Sequence, residues 1–195
     1  MGRDQIVRPR NRFTSRSLGI LLLLASLTLL PSTALALDFY VDDAIGNDAR
    51  STVEAQSAAT PWKTINHALQ TVQSGNKIRV KPGTYAESAE SRFANVTLRA
   101  SGDPGTVIIA PPIGQAGLVI EHAGMLIEGF VVIGGTHGIR ATNADALVIR
   151  GCKAVAQTFN GFTVEKREGG FGGEAFDGSA ESQVCRCSIR RGPRR

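Results

Sequence analysis

The chain has 195 residues, 42% of them apolar, with a formal charge of +5 and three cysteines, a length that suits one domain. The positive charge does not mark a nucleic-acid binder, whose basic residues should share a folded face: five arginines lie in residues 1–17 and five in the last ten, leaving 12 basic and 16 acidic residues over 37–185. Cys152, Cys185 and Cys187 are an odd number and cannot all pair within one chain, and the single residue between the last two does not suit structural zinc.

Residues 1–36 read as an export signal. Arg3, Arg8, Arg10, Arg12 and Arg16 precede an apolar run from Leu18 to Leu30, Pro31 breaks it, and Ala34-Leu35-Ala36 supplies a small-x-small site. The run is shorter than the roughly 20 residues a spanning helix needs. A Sec-type signal cleaved after Ala36 is expected, placing the mature chain in a secreted, periplasmic or cell-surface location. No later segment is long enough for a membrane span, so none is expected once the signal is removed.

Phe39-Tyr40-Val41 reads as a short strand, followed by a polar loop to Thr60. Asp42, Asp43 and Asp48 in that loop are candidate ligands for calcium, a cation bound through oxygen. The same residues also favour plain turns, and no EF-hand spacing is present. Thr60-Pro61 has the grammar of a helix start, a capping hydroxyl before a first-turn proline. Ile65, Ala68, Leu69 and Val72 then make one apolar helical face near residues 64–73. Ile78-Arg79-Val80 is the next strand, stopping at Pro82-Gly83.

From Val96 onward, short apolar alternations recur. Ile127-Glu128-Gly129-Phe130 maps onto Ile149-Arg150-Gly151-Cys152; Gly117-Leu118-Val119-Ile120, Gly138-Ile139-Arg140-Ala141 and Gly161-Phe162-Thr163-Val164 form a second series. Offsets of 21 to 23 residues that keep apolar on apolar indicate stacked coils, each covering the apolar face of the last. Alternation then predicts Leu118, Ile139 and Phe162 inward, likewise Ile120, Ala141 and Val164, and Ile127 over Ile149. Phe130 and Cys152 become packing residues. Val119, Arg140 and Thr163 point outward, Glu128 stacks with Arg150 as an opposite-charge pair, and Val131 stacks with Lys153. The pattern stops after Val164: residues 166–195 read as an irregular arginine-rich tail with no visible cap, as in a truncated or out-of-frame version of a longer coil.

Phe39-Tyr40-Val41-Asp42, Gly46-Asn47-Asp48, Pro61-Trp62-Lys63-Thr64-Ile65, Ala68-Leu69 and Val80-Lys81-Pro82-Gly83-Thr84-Tyr85 together resemble the N-terminal signature of right-handed parallel β-helix proteins of the pectin-lyase-like superfamily, and within it the DUF1565-type repeat proteins. The resemblance covers about residues 38–165. It implies an all-β fold, a right-handed parallel β-helix of about four coils over 37–165, with one N-terminal capping α-helix. It also implies kinship with enzymes acting on acidic polysaccharides, such as pectate and alginate lyases; the alternative is a non-catalytic surface or carbohydrate-binding solenoid.

The catalytic residues of that superfamily transfer poorly. Thr136-His137-Gly138 matches only part of the hydrolases' Gly-His-Gly and precedes Asn143-Ala144-Asp145 in the wrong order. The lyases use a basic residue as base, with calcium or arginine neutralising a uronate. Arg140, Arg150 and Lys153 are the candidates here, set against a plain solvated face. His67, on the helix, and His122, in a turn, read as structural or solvated.

Overall fold

The computed structural model describes residues 35–165 and the backbone of Gln183–Ser188. Residues 1–34, most of the expected export signal, and most of the arginine-rich tail lie outside the described residues. The unit beginning at Ala36 is a parallel β-solenoid of about four turns. Its strands in chain order are β1 (Asp38–Val41), β2 (Lys77–Val80), β3 (Gly83–Tyr85), β4 (Ala89–Glu90), β5 (Thr97–Ala100), β6 (Val107–Ile109), β7 (Leu118–Ile120), β8 (Leu126–Glu128), β9 (Val131–Ile133), β10 (His137–Thr142), β11 (Val148–Val155), β12 (Asn160–Glu165) and β13 (Gln183–Ser188). A 3-10 turn (Glu54–Gln56) and one α-helix, α1 (Ile65–Thr71), fall between β1 and β2.

The strands form three columns. The first runs β1-β2-β5-β8 and ends on the first half of β11; the second runs β3-β6-β9 and ends on its second half; the third is β4-β7-β10-β12. β11 serves two columns because it turns a corner at Gly151, whose φ is +57°. Gly129, φ +86°, makes the same corner between β8 and β9. These are left-handed conformations that a residue with a Cβ adopts only at a cost.

Register follows the repeat offsets. Leu118, Ile139 and Phe162 align on the third column, as do Ile120, Ala141 and Val164. Ile127 aligns with Ile149, and the same inward line extends back through Leu98 and Ile78 to Phe39. These five are all at most 4% exposed. Phe130 and Cys152 are fully buried, so the cysteine acts as a small apolar filler.

Three expectations change. The helix does not start at Thr60-Pro61. Trp62 is drawn into the coil instead: its N–H donates to Tyr40 O at 2.9 Å, it bridges Val41, and its ring stacks on Phe39 at 5.4 Å. Thr64 therefore takes the cap, its hydroxyl accepting from His67 N. The expected apolar face is present, with Ile65, Ala68, Leu69 and Val72 all buried. The helix packs on β4, where Asn66 Oδ1 accepts from Glu90 N and Gln70 Nε2 donates to Glu90 O.

Second, Val119 and Thr163 are outward by alternation but not solvated, at 9% and 6% exposure. Third, part of the tail is regular: β13 pairs antiparallel with β11 along the edge that the fourth turn would leave open.

Candidate anion-binding cleft

Outward positions of the first column carry most of its charge. Register aligns Tyr40, Arg79, Arg99, Glu128 and Arg150 on successive strands, about 4.8 Å apart. Arg79 is held by Asp38, Nη2 to Oδ2 at 2.9 Å. Arg99 is held by Glu128, Nε to Oε2 at 3.3 Å. Arg150 is exposed and makes no ion pair among the described residues. Glu128 is thus Arg150's neighbour in register, as expected, but its ion pair goes to Arg99.

Beside this ladder lies a cleft of about 600 Å³ lined by Arg99, Asp103, Glu128 and Arg150. The corner glycines Gly129 and Gly151 also line it, and a Cβ added at Gly151 would meet nothing within 4 Å. Gly102, Asp103 and Pro104, in the loop after β5, complete this part of the lining. The lining therefore offers one internally paired Arg–Glu couple, the Arg150 guanidinium, unpaired among the described residues, and the Asp103 carboxylate.

The three basic candidates fall on three different columns. Arg150 lines the cleft. Arg140 is exposed on β10, in register between Val119 and Thr163. Lys153 lies past the Gly151 corner, half-buried beside Val131. They are not assembled into one site. Arg99 and Asp103, which do share the cleft with Arg150, are absent from the sequence reading.

Asp42, Asp43 and Asp48 are not gathered around one point either. Asp42 Oδ1 accepts from Ala44 N at 2.9 Å, and its Oδ2 meets Lys81 Nζ at 3.2 Å. Burial opposes ionisation of Asp42, but the Ala44 N–H and the Lys81 ammonium outweigh it and hold the carboxyl below the usual aspartate range. Asp48 Oδ1 accepts from Lys63 N and Thr64 N, and its Oδ2 from Thr64 Oγ1. No group of three or more His, Cys, Asp or Glu is clustered for a metal among the described residues.

The Glu87 carboxylate receives the first N–H groups of α1, Ile65 N at 2.8 Å and Asn66 N at 2.9 Å. Burial, with Asp48 and Asp43 nearby, still pushes its pKa above the ordinary glutamate value. His67 is edge-on to Trp62, and His122 Nδ1 lies 3.2 Å from Ser91 Oγ, a residue only 2% exposed.

Residues 44–100 match the family model described as "Protein of unknown function (DUF1565)". The matched stretch runs from the loop after β1 through α1 to the end of β5, which agrees with the resemblance drawn from the Trp62 and Pro82-Gly83 segments. No curated protein and no solved structure matches the chain.

Proposed function

We propose that this chain is an exported β-solenoid that binds acidic polysaccharide in the Arg99–Arg150 cleft. The observation that carries the reading is Arg150, an exposed guanidinium that lines the cleft and has no ionic partner among the described residues. Guanidinium is suited to a planar carboxylate, which it grips with two parallel hydrogen bonds. Asp103 complements it as an acceptor for sugar hydroxyls. The volume is in the range of small-ligand sites. Export is supported by the arginine-flanked apolar segment that precedes Ala36.

Among the described residues the cleft lining has one carboxylate, Asp103, outside the Arg99–Glu128 pair, which does not favour hydrolysis by two paired carboxylates. A lyase version has one feature in its favour, Arg150 as a positioned base. Calorimetry of the mature chain with oligogalacturonate and oligoalginate, run with and without calcium, tests the reading. Arg150→Gln is expected to weaken binding about ten-fold, from loss of a charged hydrogen-bonding partner. Affinity for a neutral oligosaccharide should be unchanged. Equal binding by Arg150→Gln and the unaltered chain would overturn the cleft assignment. An ultraviolet absorbance rise from an unsaturated product, lost in Arg150→Gln, would replace binding by lyase action.

A further inference from the structure

The last described strand carries two cysteines, and the fold brings one of them to the third. β13 runs antiparallel to β11, with Cys185 directly opposite Cys152 and Cys187 opposite Ile149. We infer that Cys152 and Cys185 form an intrachain disulfide that fastens β13 across the open edge of the solenoid, leaving Cys187 as the odd thiol. This does not depend on the polysaccharide reading.

Two observations carry it. The first is register. A register shift between Arg150 and Cys152 is what sets Cys185 against Cys152. Opposed residues on antiparallel strands have Cα atoms about 4.5–5.5 Å apart, within the roughly 4.4–6.8 Å that a disulfide spans. The second is the setting of Cys152. It is fully buried and is a free thiol in this structure, with Sγ 3.8 Å from Ile127 O and 3.5 Å from Arg150 O. Ile149, opposite Cys187, offers nothing to bond. Once the strand has docked, burial pushes the Cys152 thiol up to about 11, so it is a poor nucleophile when covered. The bond therefore forms as β13 arrives, before Cys152 is closed off.

The chemistry is thiol–disulfide exchange with a small-molecule disulfide. The two protein thiols lose two protons and two electrons and one S–S bond forms between them. The S–S bond of the oxidant breaks and departs as two thiols.

The full mature chain is refolded with a mixture of oxidised and reduced glutathione, denatured, alkylated without reduction, and mapped by mass spectrometry. The expected result is one linked peptide pair joining Cys152 to Cys185, lighter by two hydrogen atoms than the separate peptides, with alkylation confined to Cys187. Alkylation of all three thiols, or a link from Cys152 to Cys187, would overturn the assignment. The same map on Cys185→Ser should show Cys152 and Cys187 both alkylated; continued protection of Cys152 there would count against it. Reduction should lower the melting temperature of the unaltered chain and leave that of Cys185→Ser where it is. An equal fall in both would show that the bond does not hold the strand.

Discussion

Alternation along each strand divides side chains into those that cannot be charged and those that can. Ile127 and Ile149 are 0% and 2% exposed in adjacent rungs. An aspartate at either leaves an unpaired carboxylate inside the coil, at a cost of several kcal/mol against a typical domain stability of about 5–15 kcal/mol. Ile127→Asp and Ile149→Asp are each expected to abolish the cooperative transition in urea. Val119→Asp is the informative contrast. It faces outward, yet is covered, with Glu90 on one side and Arg140 on the other. It should fold with a loss of about 1–3 kcal/mol; a loss as large as at Ile127 would contradict the outward placement.

Asp42 gives a prediction in pH. Its folded pKa lies below the unfolded value. The stability it contributes is present above the unfolded pKa, about 3.9, and is lost as pH falls toward the folded one. In unfolding free energies measured between pH 7 and pH 2, Asp42→Asn should lower stability at neutral pH and flatten the acid limb below pH of about 4. An unchanged acid limb would assign that limb to other carboxylates.

At the scale of elements, α1 shows how local grammar and long-range pairing compete. Thr60-Pro61 satisfies every local rule for a helix start, but β1 needs a partner and takes Trp62, so the helix waits for Thr64. The cap is thus supplied by a residue whose hydroxyl also donates to Asp48 Oδ2 at 2.8 Å. Thr64→Ala removes both interactions and should cost about 1–2 kcal/mol. Thr64→Ser should recover most of it in thermal unfolding. If Ala and Ser behave alike, the hydroxyl is not what stabilises the turn.

What the sequence hides is explained by loop length. β8 and β11 align at an offset of 22 residues, and that spacing is legible because the intervening chain is short. β5 and β8 align at 29 and β1 and β2 at 39, because the Gly102–Pro104 and Asp42–Thr71 excursions intervene. β2 and β5 align at 20, but the step of 29 from β5 to β8 breaks the series, so a search at constant offset does not place Arg99 beside Glu128. Asp103 sits in a loop that no periodicity addresses. The cleft is therefore built half from the readable part of the chain and half from the unreadable part.

For the whole molecule, the exposed question is the edge. A column of parallel strands ends in unpaired N–H and C=O groups, which template association unless covered. β13 covers that edge on the first two columns. Truncation after Glu165 should leave a folded but self-associating chain, visible as concentration-dependent mass in light scattering. A monodisperse truncated monomer would show that β13 has no protective role.

The parallel register carries one more consequence. Because β8 and the start of β11 are interchangeable partners 22 residues apart, residues 126–147 amount to one interchangeable tread of a staircase. Repeating that segment would lengthen the molecule by a single step of about 4.8 Å and set one more glutamate into the outward row, with every lower step undisturbed. The reach of this molecule is therefore quantised: it grows by whole treads, and any extended partner lying along its face would be measured in the same units.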